Sequence, residues 1–239
     1  MAISRLSPTP FGNRLLDFLG ENDYRRLQPH LELVSLDFKQ TLYEPRSLMH
    51  YAYFPRDGVI SMLTSMENGS GIELASIGRE GMVGLGLLFG GEKAPARIMV
   101  QVPGTALRMK GNILRDELSR DTPLRRLLFL YERAFLKQIM QSVACNGLHS
   151  LLQRCCRWLL MTRDRVDSDW FVMTHEFLAE MLGVRRSSVS EVLEPLQKKG
   201  LIHCQRGKIQ ILNRKGLENL VCECYRSVHG EFERLFAEH

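Results

Sequence analysis

Apolar residues follow two different periods along this chain. Between Leu31 and Met109 they fall in short runs, at 33–38, 50–54, 59–64, 72–77, 98–102 and 105–109, separated by Pro55-Arg56-Asp57-Gly58, Glu67-Asn68-Gly69 and Pro103-Gly104. Closely spaced short strands with such turn residues predict an all-β sandwich or roll. A helix over 13–19, with a second turn over 23–27, is expected to cap its edge. At Asp121-Thr122-Pro123 the period changes, because a capping residue followed by proline in the first turn announces a helix. Leu124, Leu128, Tyr131 and Phe135 form one apolar stripe and Leu127, Leu130 and Ala134 a second. One stripe is expected to pack on the β domain and the other to pair with a second copy; the alternative puts both in a monomer's core. A further helix over 149–164 carries Leu151, Leu152, Cys155, Trp158 and Leu159 on its apolar side. A last helix over 217–236 presents Leu220, Val221, Cys224, Val228, Phe232 and Leu235, and can pack back on either domain.

Within 174–202, THEFLAEMLGVRRSSVSEVLEPLQKKGLI, the spacing is that of a helix-turn-helix. Leu178, Leu182, Val184, Val189 and Val192 are the inward positions, Ala179 lies where the helices cross, and Gly183 takes a turn that favours positive φ. Arg185, Arg186, Ser187, Ser188, Ser190 and Glu191 then cluster at the start of the second helix, the end that enters the major groove in this motif. Pro195 lacks the N–H that would bond the Glu191 carbonyl, so a kink or early break is expected there, beyond the residues that reach bases. Over 201–212 two short strands about Arg206-Gly207 suggest a wing, with Gln205, Arg206 and Lys208 as phosphate contacts.

Composition changes this picture little. The chain has 239 residues, enough for two domains of ordinary size, and a net charge of +5 that suits an anionic partner without requiring one. The start, MAISRLSPTPFGNRLLDFLG, has no uninterrupted apolar core of a signal peptide and no later segment is apolar enough for a membrane span, so a cytoplasmic protein is expected. The six cysteines, at 145, 155, 156, 204, 222 and 224, contain no C-x-x-C pair, which indicates neither a disulfide framework nor a zinc site. Cys222 and Cys224 would not share one helical face, and reduced, buried thiols are expected. Phosphate loops, nucleophile elbows, paired-carboxylate frameworks and H-E-x-x-H are all missing, so an enzyme is not expected.

The order of β-roll, long helix and winged helix-turn-helix resembles the Crp/Fnr family of bacterial transcription regulators over nearly the whole chain. The residues that carry it are the 174–202 stretch, RWLLMTRDRV before it, and YFPRDGVISML and IGREGMVG in the front domain. The resemblance implies an α+β protein with a jelly-roll-like antiparallel β-roll over 1–120, a dimerisation helix over 121–147 and a DNA-binding domain over 148–239. It implies a homodimer on a near-palindromic site in double-stranded promoter DNA, touching RNA polymerase. It further implies that Arg186 contacts guanine and that Thr174 and His175 approach phosphate. Where the family often has an arginine that reads guanine, this chain has Glu191. That carboxylate can accept from cytosine N4, or hold Arg185 or Arg186 in place, the role expected here since phosphate opposes its approach to DNA.

The front domain resembles a cyclic-nucleotide-binding module without its chemistry. The family's Gly-Glu pair is here Gly84-Leu85, and its Pro-Arg-Ser-Ala-like run is Pro95-Ala96-Arg97-Ile98. Leu85 cannot hold a ribose hydroxyl, Ala96 cannot pair with phosphate, and Arg97 is displaced by one position, onto the opposite strand face. Losing two charge-assisted contacts at roughly 1.5–3 kcal/mol each disfavours cyclic AMP, leaving a vestigial pocket or one for a less anionic ligand. An iron–sulfur cluster is poorly supported with no cysteine before Cys145, and a haem would have to use His50 or His149. No cofactor is therefore expected. Cys204, in the wing near arginines that would lower a thiol pKa, is the candidate for redox control. The competing function is a DNA-silent dimeric adaptor whose β-roll takes a non-nucleotide ligand or a protein partner.

Overall fold

A computed structural model describes residues 11–237; the expectation of a missing leader rests partly on residues before these and lies outside the described part. Two short helices, α1 (Arg14–Asp17) and α2 (Glu21–Leu27), open the fold. Asn13 caps α1, and its buried amide donates to the Pro55 and Gly81 carbonyls at 2.8 and 2.9 Å, clipping the helix onto the β domain.

Seven strands follow: β1 (Glu32–Leu36), β2 (Thr41–Tyr43), β3 (Tyr51–Pro55), β4 (Val59–Ser65), β5 (Gly71–Ile77), β6 (Arg97–Val102) and β7 (Gly104–Lys110). They form two antiparallel sheets, ordered β1-β7-β3 and β2-β6-β4-β5. Every run expected to be a strand is one, with ends moved by a residue or two. Three-residue β2 was missed because it is too short to show alternation. The turn chemistry acts as expected: Gly58 and Gly69 have φ of +81° and +80°, and the Asp57 carboxylate accepts the Thr105 N–H at 2.6 Å.

An unanticipated helix α3 (Gly111–Leu118) leads to the long α4 (Pro123–Leu148), which Thr122 caps and Pro123 begins. Leu124, Leu128, Tyr131 and Phe135 are buried as expected, but so are Leu127 and Ala134 of the second stripe. That stripe is monomer core, and the expectation that it is the free face is corrected. The exposed face is a third one, with Phe129, Leu136, Met140 and Val143 at 41, 50, 59 and 65% exposure.

Helix α5 (Leu151–Arg165) begins with a capping box between Ser150 and Gln153. It is buried on nearly all sides, because β sheets lie on one flank and the helix-turn-helix on the other. Gln101 Nε2 donates to Thr162 Oγ1 at 2.8 Å, and buried Arg165 donates to Glu80 (2.7 Å), the Met161 carbonyl (2.9 Å) and Gln138 (3.3 Å). Gly78 is needed here, since a Cβ would stand 2.6 Å from Arg165 Cγ.

Then come β8 (Trp170–Val172), α6 (His175–Leu182), α7 (Arg186–Lys198), β9 (Ile202–Gln205) and β10 (Lys208–Ile211), whose strands form a sheet ordered β8-β10-β9. The single helix expected over 217–236 is instead two, α8 (Arg214–Glu218) and α9 (Cys224–Ala237). The break has a packing cause. Leu217 of α8 is buried where α8 packs against α5, whereas α9 lies along α4 with Phe232 and Tyr131 rings 6.2 Å apart. One straight helix cannot cover both surfaces. The end of α9 reaches α1, where Arg14 pairs with Glu233 at 2.8 Å and lies over the Phe236 ring. The architecture is the expected α+β: antiparallel β sheets, a long helix, then a winged helix-turn-helix. Among the described residues no helix is long and apolar enough to cross a membrane.

Candidate nucleic-acid interface

Helices α6 and α7 pack through Leu178, Ala179, Leu182 and Val189, all buried, with Val184 and Val192 half-buried. Phe177, Met181, Leu193 and Leu196 join this core and were not anticipated. Gly183 ends α6 at φ +64° and ψ +40°, the left-handed turn that its position predicts. A Cβ there would also lie 2.9 Å from Ile72 Cδ1, so the turn rests on β5. Phe177 meets the Phe38 ring at 5.3 Å and Lys39 lies over its face, so α6 is docked on the chain's own β domain. The starts of α7 and the wing face outward.

Thr174 caps α6, accepting the Phe177 N–H at 3.1 Å. His175 follows, with Nδ1 2.9 Å from Ser190 Oγ, and that hydroxyl lies 3.3 Å from the Arg186 carbonyl it donates to. With its one proton spent on the carbonyl, Ser190 accepts from Nδ1–H. In the neutral ring, Nε2 then carries a lone pair. Burial, with help from the Arg186 charge, holds the His175 pKa below the ordinary histidine value. At the start of α7 no side chain caps the first turn, and Arg185, Arg186 and Ser187 are exposed there beside half-buried Ser188. Backbone N–H groups at an uncapped helix start are donors awaiting an acceptor.

The wing is the expected hairpin, turning at Arg206 and Gly207 with φ of +47° and +74°. The Gly207 carbonyl accepts from Met173 N at 2.7 Å, and Gln197 of α7 accepts from Cys204 N at 2.7 Å. These two bonds set the wing beside the start of α6. Thr174, His175, Arg186, Cys204, Arg206 and Lys208 thus line one groove of about 610 Å³. Arg185, Arg186, Arg206 and Lys208 have no ion-pair partner among the described residues.

Three expectations about this unit are corrected. Glu191 is exposed and holds neither Arg185 nor Arg186, since no bond or ion pair joins them among the described residues. Pro195 does not end α7, which runs on to Lys198. It stands on the exposed face, where water can satisfy the Glu191 carbonyl, while Leu193 and Leu196 hold the helix inward. Cys204 does not have a lowered thiol pKa; burial raises it, which removes the reason for singling it out as a redox group.

In the β domain, Gly84 (φ +108°) and Leu85 line a small apolar cavity of about 40 Å³, with Met62, Ile77, Met82 and Phe135. Ala96 and Arg97 are not part of its lining. Arg97 faces the other way, 3.2 Å from Thr41 Oγ1 and 3.5 Å from Glu44, as its register predicts. His50 is exposed.

His149 is engaged elsewhere. It lies with Cys145, Cys222 and Cys224 in a cluster whose donor atoms are all within 4.8 Å of one another. The lack of a C-x-x-C pair indicates no zinc site from spacing alone, an expectation the fold corrects by assembling a donor set from residues nearly eighty positions apart. The legible signal was Cys145 and His149 one helical turn apart, with a further Cys-x-Cys. Extending the last helix back to 217 concealed it, because Cys222 precedes α9 rather than lying on it.

Residues 33–121 match the cyclic nucleotide-binding domain family, and residues 153–220 match the Crp-like helix-turn-helix domain family. No curated protein matches the chain in sequence. Among solved structures, FixK2 from Bradyrhizobium japonicum is similar with a TM-score of 0.68 at 18% identity, covering 80% of this chain and 98% of its own. A putative crp/fnr-family transcriptional regulator from Eubacterium rectale is similar at 0.67 and 19%, covering 86% and 96%. The c-di-GMP responsive global regulator CLP of Xanthomonas campestris is similar at 0.62 and 16%, covering 80% and 99%. These structural likenesses speak for the fold alone. With both domain families matched in this order on that fold, the chain belongs to the Crp/Fnr family of DNA-binding transcription regulators.

Proposed function

We propose that the protein acts in the cytoplasm as a homodimer, reading a near-palindromic promoter site with α7 in the major groove. The observation that carries this is the groove in which Thr174, His175, Arg186, Arg206 and Lys208 converge beside an uncapped helix start. Unpaired cations and free N–H groups on one outward surface fit two phosphate backbones flanking a groove. Arg186 is assigned to guanine, and exposed, unpaired Glu191 to cytosine N4. Arg185, Ser187, Ser188, Arg206 and Lys208 are assigned to the backbone. The dimer is assigned to Phe129, Leu136, Met140 and Val143, which recur on one exposed face of α4 at coiled-coil spacing. We assign the sensor-like, dimerising and DNA-binding roles to 1–120, 121–147 and 148–239, and RNA polymerase is the protein partner that family membership implies.

Control by cyclic AMP is not part of this reading. The cavity beside Leu85 is about 40 Å³ and apolar, whereas small-molecule pockets span about 300–1,000 Å³. Selection from random duplex DNA is expected to yield an inverted repeat without added nucleotide. The Arg185→Ala, Arg186→Ala double variant is expected to lose sequence-specific binding while remaining folded. A non-repeating consensus would refute the dimeric site, and undiminished specific binding by the variant would refute the assigned surface.

A further inference from the structure

At the corner between α4 and α5, four metal-binding side chains converge with no part in the DNA-reading groove. Cys145 and His149 lie one turn apart at the end of α4, and Cys222 and Cys224 flank the start of α9. Cys145 Sγ is 3.6 Å from Cys222 Sγ, and Cys224 Sγ is 3.5 Å from His149 Nδ1. A tetrahedral zinc ion with bonds of about 2.3 Å to sulfur and about 2.0 Å to nitrogen sets ligand edges of about 3.8 Å for S···S and 3.5 Å for S···N. Both edges fit. The widest separation, 4.8 Å, closes to such an edge on a shift of about an ångström. Ligands on different irons of an iron–sulfur cluster stand further apart than the ligands of one ion, so this set is too tight for a cluster.

The surroundings suit an ion as well. His149 Nε2 lies 3.3 Å from Glu223, the carboxylate partner that fixes the ring of a metal-bound histidine and directs its other nitrogen inward. Gln141 Nε2 donates to Cys224 Sγ at 3.1 Å, a bond that suits a sulfur acting as acceptor. Buried Arg157 acts electrostatically on Cys145, and its Nε has no hydrogen-bond partner. Three thiolates, a neutral imidazole and a divalent ion sum to a charge of −1, which that guanidinium would complement.

We propose that Cys145, His149, Cys222 and Cys224 form a closed Cys₃His site for one Zn²⁺, which staples the start of α9 to the α4–α5 corner. The three thiol protons leave to solvent as the thiolates bind, and no electron is transferred. His149 is the C-cap of α4, at φ −112° and ψ +150°, where the chain turns into the helix that carries the DNA-reading unit. An ion held there fixes that corner.

The full-length protein, purified under reductant, is expected to hold one zinc per chain by elemental analysis. The stripped protein is expected to take up one Co²⁺ with the intense visible bands of a tetrahedral thiolate site, and zinc should displace it. Cys224→Ser and His149→Ala should abolish that spectrum, Glu223→Gln should weaken binding about 10- to 100-fold, and Cys204→Ser should leave it unchanged. If the first two variants fail to fold, the wild-type cobalt spectrum and its stoichiometry decide alone. Failure of the reduced protein to bind either ion would overturn the proposal. So would a Cys145–Cys222 disulfide in peptide mapping with no metal uptake after reduction, or cobalt bands that persist in both folded ligand variants.

Discussion

Replacing Arg165 with methionine tests whether one buried ion pair holds the DNA-reading unit to the β domain. Arg165 and Glu80 are 6 and 7% exposed, joined at 2.7 Å. The guanidinium also bonds the Met161 carbonyl at 2.9 Å and Gln138 Oε1 at 3.3 Å, uniting α5, α4 and the loop after β5. Methionine can keep the packing of the aliphatic stem over Gly78 but leaves the Glu80 carboxylate with the Gly78 N–H, at 3.2 Å, as its remaining hydrogen-bond partner among the described residues. Breaking a buried pair by removing one partner costs about 3–5 kcal/mol, against a total stability of about 5–15 kcal/mol. With a urea m-value of about 3 kcal/mol/M for a chain of this size, the midpoint should fall by about 1–2 M. Buried Trp158, on the same helix, supplies the fluorescence readout. Adding Glu80→Gln should restore part of the loss, since the stranded charge and not the missing contact dominates the penalty. A loss below about 1 kcal/mol in the single variant, or an equal loss in the double variant, would refute this reasoning.

His175 is neutral around pH 7, with a lone pair on Nε2, so contact with phosphate requires a second proton. Phosphate raises the His175 pKa in the complex, so binding takes up a proton; anisotropy titrations should show affinity rising as pH falls from about 8 toward 6, then levelling below the free-protein pKa. His175→Gln should flatten that profile, and an unaltered slope would exclude His175 as its source. Lys208→Ala should weaken binding to all duplexes alike and reduce the salt-dependence slope by about 1; a sequence-selective loss would place Lys208 at a base. Leu136→Glu with Met140→Glu should give monomers in sedimentation velocity with little change in monomer stability, because both residues are exposed on α4, and a persistent dimer would exclude that face. Pro195→Ala should leave operator affinity within a few-fold while removing a helix penalty of up to about 3 kcal/mol, and a collapse of binding would mean that proline sets the docking angle.

Much of the fold is written in neighbouring residues. Asp57-Gly58, Asn68-Gly69 and Thr122-Pro123 specify their turns and cap through side chains and φ values that act over a few positions. Gly183 and Ala179 likewise place the helix-turn-helix, and the register of β6 already turns Arg97 away from the cavity. These effects are local, so spacing along the chain suffices to predict them.

Other features depend on which surfaces find one another. Leu127 and Ala134 have the same local signature whether they face a second copy or the chain's own core. Packing within the fold buries them and leaves Phe129, Leu136, Met140 and Val143 outside. The metal-ligand cluster depends on a break between α8 and α9 that lets Leu217 and Phe232 bury against different partners. Periodicity states which face of a helix is apolar, and competition among all apolar faces for limited contact area states what covers it. That competition is resolved only when the whole chain packs, so the longer elements and their order belong to the sequence alone, while the α8–α9 break, the exposed apolar face of α4, the buried α5 and the Cys₃His cluster belong to the tertiary structure.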